Sequence, residues 1–208
     1  FIQDGEIFFV LPDGNITISN PGRPAVPIGH YAPFACADDI YERIRREVEK
    51  AIRVCDIDNC AVNMDLILKD GMPYIIELTA RAGATCLSEL IGLYYGVDYY
   101  QMILMASLGQ PVKPYFDARR ASPRAAAATM LTAEKTGTVR CIKVPSDPDP
   151  DVYELTLIIQ RGSRVRRFLT AGDRIGQLVV SGRDVPSCLA LIDRTKKQIK
   201  IEIDENEE

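Results

Sequence analysis

Two apolar, β-prone runs, CAVNMDLIL and MPYIIEL, are separated only by Lys69-Asp70-Gly71. Asp-Gly between such runs is a strong short-range hairpin signal, because the tight turn needs positive φ, which Gly and Asp tolerate. Each run carries one carboxylate: Asp65 lies five residues before Asp70, and Glu77 seven after it. Within one residue of register the two meet across the ladder, where neighbouring strands lie about 4.8 Å apart. Both interrupt apolar runs, so burial there is costly unless they are paired or metal-bound. Two carboxylates without an imidazole suit a hard cation, and Mg²⁺ commonly shares such ligands with substrate phosphates. The alternative is that both face water on an exposed side of the hairpin, and spacing alone does not separate the two.

The surrounding sequence sets this hairpin among helices. IQDGEIFFVLPDGNITIS reads as two strands turning at Pro12-Asp13-Gly14. Pro21, Pro24, Pro27 and Pro33 argue against regular structure, which puts His30 on an extended loop. Asp38 and Asp39 suit a helix start, and Ile40, Ile44, Val48 and Ile52 mark one buried stripe at a four-residue spacing. After the hairpin, CLSELIGLYYG and VDYYQMILMASLG read as helices stopped by Gly96 and Gly109. The Tyr94, Tyr95, Tyr99 and Tyr100 run is expected to pack between them. A Pro- and Arg-rich stretch, Pro111 to Arg124, divides residues 1–115 from residues 116–208. The second segment is mostly strands with one helix near Val185–Lys197, so the chain as a whole is α+β.

Composition removes several classes. No apolar run approaches the roughly 18 residues that span a bilayer. A net charge of −4 argues against bulk binding to nucleic acid. The basic turn Arg161, Arg164, Arg166 and Arg167 surrounds Gly162-Ser163, as solvated arginines at a hairpin tip would, without aromatic residues to stack bases. The six cysteines form no C-x-x-C pair and suit a reducing cytoplasm. With His30 the single histidine, a zinc site is not expected. The chain opens FIQDGEIFFV, without methionine and with a strand already under way, as expected of a piece of a longer protein.

Arg81 stands four residues past Glu77, where a guanidinium could stabilise charge on a transferred phosphoryl group, although a surface arginine is the plainer reading. Gly83 and its small neighbours would let a ligand approach the backbone, and the following helix N-terminus could help hold an anion. Together Asn63-Met64-Asp65-Leu66, Ile75-Ile76-Glu77 twelve residues on, and Thr79-Ala80-Arg81-Ala82-Gly83 resemble the signature of ATP-grasp ligases. Gly29-His30 before Pro33, GLYYGVDYYQMIL, and GSRVRRFLTAGDRIGQLVVSGRDVPSCLALIDR are similar to the carbamoyl-phosphate-synthase-like and L-amino-acid-ligase branch.

The resemblance spans nearly the whole chain and has definite implications. Residues 1–115 would be the second half of an ATP-grasp fold, an antiparallel sheet backed by helices, and residues 116–208 a small trailing α+β domain. Asp65 and Glu77, with Thr79, would hold Mg²⁺ or Mn²⁺. Arg81 and Gly83 would meet ATP phosphates, and Arg81 and His30 would serve catalysis at the substrate end. The activity implied is an ATP-dependent ligation of a small carboxylate to an amine or thiol through an acyl phosphate. A non-catalytic assembly or regulatory module derived from such a ligase is the alternative, and a homodimer is compatible with either. Thr79 replaces the family's usual Asn, Asp65 is one methylene shorter than the common Glu, and Pro27 stands where some amino-acid ligases carry an acidic substrate contact. The phosphate-covering lysines and glycine-rich loop of the family are missing, so the chain alone is expected to be inactive and to rely on an amino-terminal half.

Overall fold

A computed structural model of the chain describes residues 1–19, 22, 25–119 and 123–205. Pro21, Pro24, residues 120–122 of the Pro- and Arg-rich stretch and residues 206–208 of the acidic end lie outside the described residues. The architecture is α+β, as the sequence indicates, and every strand pairing in its sheets is antiparallel.

Asp-Gly chemistry does turn the first strands, but at a different pair. β1 (Ile2–Gln3) and β2 (Glu6–Ile7) fold over Asp4-Gly5, both at positive φ (52° and 73°). The turn anticipated at Pro12-Asp13-Gly14 is absent; Gly14 instead begins β3 (Gly14–Ile18). β3 pairs with β4 (Val26–Ala32), which contains His30, so the histidine stands on a strand and not on a loop. Pro27 is tolerated because it precedes Gly29–Ala32, the part of β4 bonded on both sides, and sits beside the unpaired Ile28, the extra residue where the β3–β4 register shifts.

Helix α1 (Asp38–Val54) buries Ile44, Val48 and Ile52 against Ile2, Met64 and Leu66. Full burial of such side chains stabilises by roughly 1.5–3 kcal/mol each. Its N-cap, Ala37, supplies no side-chain bond, leaving Asp38 and Asp39 to favour the first turn electrostatically. β5 (Asn63–Lys69) and β6 (Met72–Thr79) form the expected hairpin over Asp70-Gly71, with φ of 52° and 72°. α2 (Leu87–Tyr95) and α3 (Tyr99–Ser107) follow, each stopped by a glycine at positive φ, Gly96 and Gly109. The stretch after Pro111 contains a short helix, α4 (Lys113–Asp117), anchored by buried Phe116. Phe116 stacks on Phe9 at 5.3 Å and meets Tyr95 edge-on at 5.5 Å, so Tyr95 and buried Tyr99 serve packing, whereas Tyr100 is 52% exposed.

The second segment comprises β7 (Ala125–Thr132), β8 (Gly137–Lys143), β9 (Val152–Leu157), β10 (Arg164–Val165), β11 (Arg174–Gly182), α5 (Val185–Gln198) and β12 (Lys200–Asp204). Strands β10-β8-β12 form one sheet, and β3-β4-β7-β11-β9 another. Gly162-Ser163 therefore lies in a connection between sheets, not at a hairpin tip. The larger sheet crosses the division at 115/116: β4 is hydrogen-bonded directly to β7. β7 is built from alanines because both its faces are covered. Ala125 and Ala127 meet Cys188 and Leu191 of α5, whereas Ala126 meets Leu90 of α2. This sheet fixes His30 from both neighbouring strands.

Candidate functional site

The turn at Asp70-Gly71 pairs Lys69 with Met72, and that register continues without interruption to Leu66 opposite Ile75. Extended one step further it would set Asp65 against Ile76. Instead Ile76 is the extra residue of a β-bulge, and Asp65 pairs with Glu77. Directly opposed residues share a face, with β-carbons about 4.5–5.5 Å apart, so the bulge is what brings the carboxylates together. Asn63 stands opposite Thr79 two residues along the same face. Met64 and Leu66, on the other face, pack toward α1.

Asp65, Glu77 and Arg81 are exposed. Among the described residues, neither Asp65 nor Glu77 has an ion-pair partner, and no cluster of three His, Cys, Asp or Glu side chains could hold a metal. An unneutralised carboxylate pair on one face is nonetheless the oxygen set that a hexacoordinate hard cation uses when phosphates and water complete its shell. The Thr79 hydroxyl donates to the Asn63 carbonyl at 3.3 Å, leaving oxygen lone pairs for a ligand. Arg81 is not drawn into this group; its guanidinium donates to the Ala82 carbonyl at 2.7 Å.

A cleft connects the hairpin to the large sheet, and Asp13, His30, Asn63, Asp65 and Gly83 all line it. Glu77, Thr79 and Arg81 do not. A β-carbon on Gly83 would strike the Leu87 side chain and come within 2.7 Å of Asn63 Oδ1, so any larger residue there must turn the ends of both side chains aside. At the sheet end, His30 Nδ1 lies 2.9 Å from Asp13 Oδ2. The sequence offered no hint of this pairing, since Asp13 there reads as a turn residue. Next to the hairpin, Thr85 and Cys86 precede α2 at positive φ (57° and 62°). Burial, reinforced by Glu89, pushes the Cys86 thiol up to about 12, which keeps it from acting as a thiolate. Glu89 occupies the first turn of α2 and accepts a hydrogen bond from the Tyr100 hydroxyl at 2.6 Å. That carboxylate opposes anion binding at the helix start.

Residues 129–204 match the family model described as L-amino acid ligase C-terminal domain 2. No curated protein is similar to the chain in sequence. Among solved structures, phosphoribosylglycinamide synthetase from Anaerococcus prevotii is 35% identical with a TM-score of 0.92, over 98% of this chain and 52% of that one. L-amino acid ligase from Bacillus licheniformis is 21% identical with a TM-score of 0.73, over 86% and 44% of the two chains. The biotin carboxylase domain dimer of Hydrogenobacter thermophilus 2-oxoglutarate carboxylase, described in complex with MgADP, ADP and bicarbonate, is 16% identical with a TM-score of 0.63, over 85% and 39%. The chain thus spans about half the length of the first of these, and less of the other two.

Proposed function

We propose, for a chain that is the carboxy-terminal portion of an ATP-grasp ligase, that it supplies the magnesium-and-phosphate half of the site. The whole protein would phosphorylate a small carboxylate with ATP and transfer the acyl group from the acyl phosphate to an amine or thiol. Asp65 and Glu77, assisted by Thr79, would hold one or two Mg²⁺ ions. Bound there, Mg²⁺ (or Mn²⁺) would neutralise charge on the phosphates during transfer. Arg81, free of any ion pair among the described residues, could swing from the Ala82 carbonyl onto a phosphate. Gly83 would wall the cleft beside that phosphate, and His30 would serve the acceptor end. Residues 1–115 would carry the metal hairpin and 116–208 the trailing unit, the two sharing the larger sheet. The rest of the site would come from the part of the relatives that this chain does not span. A cytoplasmic location fits the six free cysteines, and a homodimer is part of the proposal.

The observation that carries this is the bulge at Ile76, which sets two carboxylates opposite each other on an exposed face. Mn²⁺ electron paramagnetic resonance, titrated with ADP, tests it. Saturable binding that tightens with ADP and disappears in Glu77→Gln is expected. Binding that persists unchanged in that variant would place the metal elsewhere.

A second reading, a non-catalytic assembly module, is favoured by the apolar side chains around the same pair. Ile67, Tyr74 and Ile76 are 54%, 57% and 62% exposed. Oligomerisation indifferent to Mg-ATP in light scattering would favour assembly over catalysis.

A further inference from the structure

Asp13 precedes β3 and His30 lies within β4, yet the fold holds them as a pair. β4 is clamped between β3 and β7, with His30 opposite Asn15 on one side and Ala128 on the other. Gly29 lets β4 approach β7 closely, since a β-carbon there would collide with the Ala128 carbonyl. Asp13 immediately precedes β3, and its carboxylate reaches His30 Nδ1 at 2.9 Å. The His30 side chain is only 12% exposed, and both residues line the cleft that also reaches Asp65. An ionised carboxylate only accepts hydrogen bonds, so Nδ1 must carry the proton. In the neutral ring Nε2 is then the acceptor nitrogen, and it has no partner among the described residues.

We propose that Asp13 is a positioning residue that locks His30 in the Nδ1–H tautomer, so that Nε2 takes a proton from the incoming amine. This rests on the ligase reading above. The amine nitrogen attacks the carbonyl carbon of the acyl phosphate and forms the C–N bond. The C–O bond to phosphate breaks, inorganic phosphate leaves with the electron pair, and the surplus amine proton passes to Nε2. Asp13 stabilises the imidazolium so formed, which then returns the proton to water. A thiol acceptor would lose its proton to the same nitrogen.

Because His30 is the only histidine, its ring nitrogens give a single, unambiguous set of long-range ¹H–¹⁵N signals in the 208-residue chain. At alkaline pH, where imidazole is neutral, wild type is expected to show a pyrrole-type Nδ1 and a pyridine-type Nε2. Asp13→Asn, which preserves shape but offers an amide, is expected to yield a mixed or inverted tautomer with the backbone spectrum otherwise intact. In the complete ligase, Asp13→Asn is expected to slow amide formation about a hundredfold, leaving Mn²⁺ binding unchanged. The same tautomer in both proteins, or unaltered amide formation at saturating substrates, would overturn the proposal. Should wild type bind no Mn²⁺ even as the complete protein, the ligase reading fails separately, and the tautomer measurement still decides whether Asp13 sets the ring.

Discussion

Opposing Asp65 and Glu77 across a hairpin has a cost that a single substitution can reveal. At a separation of about 6 Å, two unit charges in water repel by roughly 0.7 kcal/mol, and physiological salt with a Debye length of about 8 Å reduces this to about 0.3 kcal/mol. Both values fall within the range of about 0.2–1 kcal/mol for directly opposed cross-strand pairs. Glu77→Gln removes the repulsion while keeping the side chain's length, so the metal-free variant should be more stable than wild type. For a chain of this size the rise in Tm is about 1–2 °C, larger in low salt than in high. Differential scanning calorimetry at two ionic strengths measures it. Adding Mg-ADP should then reverse the order, because only wild type gains binding free energy in the folded state. A fall in Tm of more than about 2 °C for the metal-free variant would refute the reasoning. It would mean that Glu77 is held by structural contacts that outweigh its repulsion from Asp65.

Two further perturbations probe the frame around the site. Gly83→Ala places a methyl against the movable ends of Leu87 and Asn63, an overpacking at the low end, about 1 kcal/mol, and a thermal melt followed by circular dichroism should register the loss. Asp184 caps α5, and hydrogen bonds from Ser187, with a further contribution from Arg183, lower its carboxyl from 3.8 to about 2. Between those values the unfolded chain binds more protons than the folded one, so the cap's stabilisation is complete above pH 3.8 and is lost as pH falls toward 2. Denaturant midpoints across that interval should flatten in Asp184→Asn relative to wild type.

Where the sequence could be read, the reason was local. Asp70-Gly71 names its own turn, the four-residue spacing in α1 names its own buried face, and Gly96 and Gly109 end their helices by the conformation they adopt. The failures arose where tertiary pairing decided. His30 looked like a loop residue because four prolines surround it, but β7 bonds only Gly29–Ala32, a segment between Pro27 and Pro33. Asp4-Gly5 and Asp13-Gly14 are the same dipeptide, yet only the first is a turn; strand pairing with β4 claims the second. Asp13 lost its identity as a partner of His30 for the same reason, since that contact exists only once β3 and β4 lie side by side. Nor does anything in Ile75-Ile76 say which isoleucine is the extra one.

That last ambiguity bears directly on the proposed metal site. Continuing the turn's own register would place Asp65 opposite Ile76, with no like-charge repulsion and no interruption of the ladder. The hairpin instead carries a bulge and opposes two carboxylates. Each departure is small, a few tenths of a kcal/mol to about 1 kcal/mol for the charge pair, but both fall at one place on one hairpin. Bulges recur next to active sites because they re-aim a side chain, and local rules are broken where function repays the loss. Here the bulge shifts Glu77 by one position, onto Asp65 and away from the α1 face. Deleting Ile76 should therefore keep Asp65 and Glu77 opposed in an uninterrupted ladder and preserve ADP-dependent Mn²⁺ binding. A deletion that abolished binding in a folded hairpin would show that the bulge's local twist, beyond the register it sets, is required.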